Sequence, residues 1–324
     1  MNKRERVIEA INLGNPDGIP SGFSLHFPAN ETSGQAAVDA HLRFFEATDT
    51  DIIKIMNENL LRQYDMVYTP TEYAKAVERL TSDRSLIDAQ VELTKAILAG
   101  ADDTAFSQGT LHGLVASAIH VVGHMGEHYP WLAERQLLTD FCRWDEPAMV
   151  ESFERICDYQ CEMARAYVQD AKVDSVYYAA LGGETRWFTD DEFARLVKPY
   201  DLRIMQAIKD AGGYCFLHIC KDHIGMGRYR DYAALSDAIN WGVYEVPFPM
   251  ADAKELWPDT CLQAGLANRT GAIASGDPEQ ARAAVREVVE GFGRRGLILG
   301  ADCTLATDQD LSVVRAAVEE ARGL

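Results

Sequence analysis

The segment Tyr214-Cys215-Phe216-Leu217-His218-Ile219-Cys220 predicts a buried β-strand, because it is a short apolar run rich in aromatic and branched side chains. Successive side chains of a strand point to opposite faces. His218 and Cys220 therefore point the same way from neighbouring pleats, while Cys215 points to the other face. The strand thus carries a nitrogen donor and a sulfur donor together at its carboxyl end.

Short apolar runs of this kind recur along the chain, and each is followed by a helical pattern. The predicted strands cover 19–25, 51–56, 104–108, 175–180, 214–219, 241–246, 260–266 and 296–301. The helical patterns cover 37–48, 85–99, 112–122, 190–211, 228–238, 251–256, 278–291 and 309–321. Alternating strands and helices indicate parallel βα units. Eight units favour a single (β/α)8 TIM barrel, and a doubly wound open sheet is the alternative.

The remaining sequence supplies an N-terminal helix and two long insertions. Val7, Ile8 and Ile11 give the first helix an apolar stripe. The insertions cover roughly 57–84 and 123–170, and we expect them to form helical caps over the C-terminal mouth of the barrel. Because the chain shows no repeat, linker or low-complexity tract, residues 1–324 are predicted to form one domain.

Composition excludes several partner classes. The 324 residues are 47% hydrophobic and carry a net charge of −19, which argues against nucleic acid and anionic membrane surfaces. The opening Met1-Asn2-Lys3-Arg4-Glu5-Arg6 is unlike a signal peptide, and no apolar run is long enough to cross a bilayer. We therefore expect a cytoplasmic protein whose seven cysteines stay reduced.

A metal centre is predicted where three strand ends meet. Cys303 follows the last predicted strand, and in a barrel it would face the same mouth as His218 and Cys220. Imidazole and thiolate ligands favour Zn²⁺, and three protein ligands leave one position for substrate. Glu245, at the end of the strand between them, is the candidate fourth ligand. Asp222 and Asp302 flank the cysteines and are candidates for orienting the ligands.

Other patterns have plainer interpretations. A strand-end cysteine is usually a core residue, and we expect Cys142, Cys157, Cys161, Cys215 and Cys261 to pack in the core. His120, His124 and His128 are four residues apart, but Gly123 and Gly126 between them weaken any helix that would align them. The string from Gly291 to Gly296 matches G-x-G-x-x-G but follows a helix, so it predicts a turn rather than a dinucleotide site.

Polar residues at or just after other predicted strand ends are candidates for the substrate-binding wall of the mouth. They are His26, Asn57, Gln108, His112 and Tyr178. The alternative for each is a capping residue or a hydrogen-bonded polar residue of the core.

The chain resembles the uroporphyrinogen decarboxylase superfamily, a group of (β/α)8 barrels. The segments that carry the resemblance are Arg4-Glu5-Arg6-Val7, Gly18-Ile19-Pro20, Asp51-Ile52-Ile53-Lys54-Ile55, Thr110-Leu111, Phe188-Thr189-Asp190-Asp191-Glu192-Phe193 and Pro199-Tyr200. The decarboxylases have an arginine-rich N-terminal segment that binds carboxylates, whereas Ser21-Gly22-Phe23-Ser24-Leu25-His26-Phe27-Pro28 has no arginine. They also have Gly-His-Gly where this chain has Ala301-Asp302-Cys303.

The other branch, the zinc-dependent corrinoid methyltransferases of the methylcobalamin:coenzyme M type, matches better. Its zinc motif is His-x-Cys after the fifth strand and Cys after the eighth, which His218, Cys220 and Cys303 resemble. Glu245 resembles a glutamate of this branch that binds the metal and can leave it. Lys221 stands where this branch often has glycine.

The resemblance implies methyl transfer from methylcobalamin, carried on a partner corrinoid protein, to an acceptor activated by zinc. Glu245 would leave the metal when the acceptor arrives. The acceptor stays open between a thiol and a tetrahydrofolate-type nitrogen. Related barrels are often homodimers. A decarboxylase of a small carboxylic acid and a non-catalytic relative that binds a corrinoid or a metal are the alternatives.

Overall fold

A computed structural model describes residues 1–123 and 132–324. Its described strands form one parallel sheet in which every strand pairs with its neighbour in chain order. They are β1 (Ile52–Ile55), β2 (Phe106–His112), β3 (Ser175–Ala180), β4 (Tyr214–Ile219), β5 (Ala238–Trp241), β6 (Cys261–Leu266) and β7 (Leu297–Ala301). This order places all carboxyl ends of the strands on the same side of the sheet.

Helices follow most strands, as the alternating pattern predicts. They are α1 (Lys3–Ile11), α2 (Gly34–Thr48), α3 (Pro70–Leu80), α4 (Ser85–Gly100), α5 (Leu114–Val122), α6 (Leu132–Trp144), α7 (Glu146–Arg165), α8 (Asp190–Leu196), α9 (Lys198–Asp210), α10 (Met250–Leu256), α11 (Pro278–Phe292) and α12 (Leu311–Gly323). A π-helical segment, Ala166–Asp170, continues α7, and 3₁₀ helices cover Ala29–Glu31, Met226–Leu235 and Gly271–Ala274. None of the helices in the described part of the chain is both long and apolar enough to cross a membrane.

The predicted strand over 19–25 is not a regular strand within the described residues. Its backbone nevertheless bonds to both edges of the sheet: Gly22 N donates to Leu299 O at 2.9 Å, and Ile52 N donates to Ser21 O at 3.0 Å. Ser21 N donates to the Asp51 carboxylate at 3.0 Å, and this side-chain acceptor interrupts a strand ladder. The seven strands of residues 1–123 and 132–324, with this linking segment, are consistent with a TIM-type barrel, although these residues contain no eighth regular strand.

Other predicted boundaries are wrong as well. The strand expected over 104–108 is β2, which runs to His112, and the helix expected over 228–238 is the 3₁₀ helix Met226–Leu235. The strand expected over 241–246 ends at Trp241, because the amides of Val243 and Tyr244 each donate to the Asp302 carboxylate at 2.9 Å instead of extending the sheet. The helix expected over 190–211 is two helices that meet at Val197. Pro199 lies in the first turn of α9, where a missing amide proton costs nothing.

Local sequence signals fix several helix ends. Thr189 accepts from the Glu192 amide at 3.2 Å, and Glu192 accepts from the Thr189 amide at 2.8 Å, so the predicted capping box opens α8. Asp277 caps α11, with Pro278 in its first turn. Gly293 and Gly296 after α11 have φ values of 93° and 70°, which confirms a turn at the G-x-G-x-x-G string.

The sheet encloses a small apolar core on the side away from the strand carboxyl ends. Side chains from α1 cover it, and its buried members are Val7, Ala10, Ile11, Ile52, Phe106, Tyr177, Phe216, Ala238, Cys261 and Ile298. A larger core packs the outer face of the sheet against the helices and contains Cys142, Cys157, Cys161 and Cys215. The five predicted packing cysteines are thus buried in the core, and the polar ends of the strands remain for the site.

Candidate metal centre

Three predicted ligands converge above the sheet. His218 lies on β4, Cys220 immediately follows that strand, and Cys303 lies two residues after β7. One ligand atom from each lies within 4.8 Å of the other two. A search of the described residues for histidine, cysteine and acidic side chains close enough to share a metal ion finds this group.

Asn240 sets the orientation of the His218 ring. The Asn240 amide nitrogen donates to the backbone oxygens of Gln263 at 2.7 Å and Ala301 at 3.0 Å, which turns its oxygen toward His218. His218 Nδ1 lies 2.6 Å from that oxygen and must carry the proton. His218 Nε2 therefore keeps its lone pair, and it is buried without a hydrogen-bond partner. A histidine that binds a metal usually donates a hydrogen bond from one ring nitrogen and leaves the other ring nitrogen without a hydrogen-bond partner.

The two thiols lie close enough to affect each other's ionisation. A hydrogen bond from Cys220, supported by the nearby His218 ring, holds the pKa of Cys303 below its ordinary value. The same bond raises the pKa of Cys220, because a second thiolate beside the first is unfavourable. Two sulfurs and one nitrogen fit zinc, and a divalent ion would stabilise both thiolates at once.

Tyr177 and Lys54 lie beneath the ligands. The Tyr177 ring stacks on the His218 ring with centroids 5.1 Å apart, and its hydroxyl donates to the Asn240 oxygen at 2.7 Å. Lys54 Nζ lies 3.3 Å from the centroid of the Tyr177 ring. Burial lowers the pKa of Lys54 to about 7, while negative charge on Cys303 and Cys220 would raise it. Neither residue was predicted to belong to the site, although strand alternation places Tyr177 inside the barrel.

Glu245 lies near the three ligands but outside their convergent group. It is exposed on the turn after β5, where Gly242 leaves room for it: a Cβ on Gly242 would be 2.9 Å from Glu245 Cβ. Partial desolvation, with the charge of Cys303, raises the pKa of Glu245. Its role as fourth ligand therefore stays a prediction.

The two flanking aspartates differ. Asp302 is buried and holds the Glu245 turn through the amides of Val243 and Tyr244, and burial raises its pKa to about 7. Asp222 lies at the surface, paired with Arg186 at 2.7 Å and His223 at 2.9 Å. Asp222 thus contacts surface groups instead of the ligands.

The ligands open into a cavity of about 490 Å³ at the carboxyl ends of the strands, called the mouth cavity below. Its polar and charged lining consists of His26, Lys54, Glu58, Arg62, Thr110, His112, His120, Arg135, Tyr177, His218, Cys220, Lys221, Glu245, Asn268, Arg269, Cys303 and Thr304. Of the predicted wall residues, His26 and His112 belong to it. His26 Nδ1 lies 2.9 Å from Glu58, and burial lowers the pKa of His112 to about 4.

Three predicted wall residues lie elsewhere. Tyr178 is on the outer face of β3, bonded to Asp201 and to the Leu114 amide, because neighbouring strand residues face opposite sides and Tyr177 takes the inner one. Gln108 is inside the barrel but deeper than Thr110, and it donates to Ser175 Oγ at 3.2 Å. Asn57 is buried and accepts from the Asn59 amide at 2.9 Å.

The mouth cavity is lined by several cationic side chains that were not predicted to lie there. Lys54, Arg62, Lys221 and Arg269 line it, together with Arg135, which pairs with Glu184 at 3.1 Å. The carboxylates in its wall are those of Glu58 and Glu245. Most of these cations come from loops and insertions, whose positions in space follow no sequence period. His120 also lines the cavity, while His124 and His128 lie outside the described residues.

A family model described as Uroporphyrinogen decarboxylase (URO-D) matches residues 74–324. Among solved structures, a methyltransferase from Methanosarcina mazei matches with a TM-score of 0.77 at 15% identity, covering 99% of this chain and 98% of that chain. A B12-independent methionine synthase from Shewanella sp. W3-18-1, in complex with selenomethionine, matches with a TM-score of 0.60 at 13% identity, covering 93% of this chain and 97% of that chain. A search of the curated proteins finds no match. At these identities the structural likeness shows a common fold.

Proposed function

Because this chain belongs to the uroporphyrinogen decarboxylase family and brings His218, Cys220 and Cys303 together, we propose that it is a zinc-dependent methyltransferase that uses a methylated corrinoid. The observation that carries the proposal is the convergence of His218, Cys220 and Cys303, whose ligand atoms lie within 4.8 Å of one another while His218 Nε2 is buried without a hydrogen-bond partner. When bound, zinc would supply the Lewis acidity that keeps an acceptor thiol ionised and nucleophilic at neutral pH.

The chain's own residues would prepare this chemistry. Asn240 fixes the His218 tautomer, and Tyr177 supports the ring from below. The proposed role of Glu245 is to fill the fourth position at rest and to leave it to the acceptor. Glu245 is exposed on its turn, and Tyr244 beside it is 64% exposed. Such a turn moves at less cost than a buried strand.

The donor in this proposal is methylcobalamin carried by a separate corrinoid protein that covers the mouth. The methyl group leaves cobalt as the acceptor sulfur attacks, and the electron pair of the cobalt–carbon bond stays with the corrinoid. No proton has to be delivered to such a leaving group. The shortage of carboxylates in the cavity wall therefore fits this reaction.

One observation favours the decarboxylase alternative. The N-terminal segment lacks arginine, but cations from other elements line the mouth cavity and would suit a substrate with carboxylates. That reaction leaves the convergence of His218, Cys220 and Cys303 without a purpose. We therefore rank it second, and metal analysis separates the two.

The proposal requires one tightly bound zinc ion per chain in the purified protein. A Cys303→Ala variant should lose most of the zinc, whereas Cys215→Ala, which removes a thiol from the outer face of the same sheet, should keep it. Equal zinc content in the two variants would remove Cys303 from the ligand set. Turnover is then measured as the spectral change of free methylcobalamin with a panel of thiols. No demethylation with any thiol would favour the non-catalytic relative.

A further inference from the structure

Lys54 is a buried lysine whose ammonium group has no acidic partner among the described residues. Its side chain is 7% exposed, and within residues 1–123 and 132–324 no carboxylate forms an ion pair with it. The neighbours that the structure gives its ammonium group are the Tyr177 ring, 3.3 Å away at the centroid, and the mouth cavity. Burying a charge is costly unless an opposite charge compensates it, and a ring face compensates only part of the cost. An anion bound in the cavity would supply that compensation and favour the charged form of Lys54, whose pKa burial lowers to about 7.

The position of Lys54 identifies where that anion belongs. The Tyr177 ring stacks against Lys54 and against the His218 ring, with a centroid distance of 5.1 Å to the histidine. Lys54, His218, Cys220 and Cys303 line the same cavity. Negative charge on either cysteine acts on Lys54. The ammonium group thus lies beside the proposed metal centre rather than at an independent site.

The charges of the proposed metal centre and its acceptor indicate a role for the Lys54 ammonium group. Two cysteinates cancel the two charges of a zinc ion, so the centre with His218 as its third ligand is neutral once Glu245 has left the fourth position. An acceptor that arrives as a thiolate brings one negative charge into a poorly solvated cavity. We propose that Lys54 is a positioning residue whose ammonium group balances the charge of the acceptor thiolate. This inference rests on the proposed function and adds the group that selects the ionised acceptor.

Other cations in the cavity are less suited to the role. Lys221 and Arg269 are exposed, so water and salt screen their charges. A buried charge is screened much less and acts more strongly at the same distance. Lys54 should therefore affect thiolate binding much more than an exposed lysine does.

The test uses the full chain loaded with Co²⁺ in place of zinc and 2-mercaptoethanol as the probe. Binding is followed by the sulfur-to-cobalt charge-transfer absorption, and metal affinity by competition with a chromophoric chelator. Lys54→Met should weaken binding of the thiol by on the order of tenfold or more, because the compensating charge is gone. Lys54→Arg should restore most of it, and Lys221→Met, the same charge change at an exposed position, should stay within about twofold of wild type.

The outcomes separate the two proposals. Wild-type thiol affinity in Lys54→Met, or equal losses in Lys54→Met and Lys221→Met, overturns the role of Lys54 and leaves the metal centre intact. Equal losses in Lys54→Met and Lys54→Arg, with unchanged thermal unfolding, show that only the shape of the lysine matters and also overturn it. Should Lys54→Met fail to fold, Lys54→Gln makes the same comparison. Wild-type protein that takes up neither metal ion overturns the proposed function, and this inference with it.

Discussion

Single residues decide whether the three ligands can act together. His218 and Cys220 could be predicted to share a face because strand side chains alternate, and Cys303 because parallel strands end on one side. Asn240 was not predicted, because the strand was expected to begin at Trp241 and so excluded it. Its link to His218 depends on the register of β4 and β5, in which the two residues are opposite each other. The register between two strands cannot be predicted from the sequence of either strand alone.

Replacing Asn240 with leucine should weaken zinc binding by about 10- to 100-fold, because the hydrogen bond that holds the His218 tautomer is lost. Competition with a chromophoric chelator measures the change. Gln108→Leu is the matched control, since it removes another buried amide inside the barrel, one that donates to Ser175. Similar zinc affinities in both variants would contradict the orienting role.

His41 gives a pH dependence that can be predicted in sign. It is buried in α2, where Nε2 accepts from the Met56 amide at 3.0 Å, and burial lowers its pKa from 6.5 to about 4. A lowered pKa means that the unfolded chain binds more protons between these values. The stabilisation is therefore complete above pH 6.5 and is lost as the pH falls toward 4.

A shift of this size corresponds to about 3 kcal/mol in the free energy of unfolding. Urea unfolding at pH 7 and pH 4.5 should show a smaller loss at low pH for His41→Gln than for wild type. His223→Gln, at an exposed histidine, is the control and should follow wild type. An identical acid response of the wild type and His41→Gln would disprove the contribution.

At the scale of elements, most strands and helices follow from apolar periodicity, and the errors occur where side chains replace backbone partners. Asp51 binds the Ser21 amide in the segment predicted as the first strand, and Asp302 binds two amides in the turn after β5. Both carboxylates act on residues distant in sequence. The local sequence pattern does not predict such contacts.

The turn that carries Glu245 should loosen when Asp302 is replaced by alanine. Each lost bond from an amide to a carboxylate costs about 1.5–3 kcal/mol. Hydrogen exchange at the amides of Val243 and Tyr244 should then speed up by at least about tenfold. Asp222→Ala, which removes the other flanking aspartate from its surface pairs, should leave this exchange unchanged. Unchanged exchange in Asp302→Ala would show that other contacts hold the turn.

At the scale of the whole molecule, the charge of the protein and the charge of its cavity have opposite signs. The chain carries a net charge of −19, yet Lys54, Arg62, Lys221 and Arg269 line the mouth cavity. Composition predicted the acidic exterior and could not predict the cavity, because loops and insertions bring these cations together only in the folded chain. An anionic ligand would therefore be repelled at long range and attracted at short range.

The salt dependence of binding shows whether the cavity cations or the acidic exterior decide the affinity for an anionic thiol. If the cavity dominates, 3-mercaptopropionate should have a half-saturating concentration about tenfold below that of uncharged 3-mercapto-1-propanol at low ionic strength, and salt should narrow the gap. If the acidic exterior dominates, salt should instead improve the binding of the anionic thiol. The double variant Arg62→Met and Arg269→Met should reduce the preference while leaving the uncharged thiol unaffected. Equal affinities for the two thiols at every salt concentration would mean that the cavity cations serve the donor or the fold rather than the acceptor.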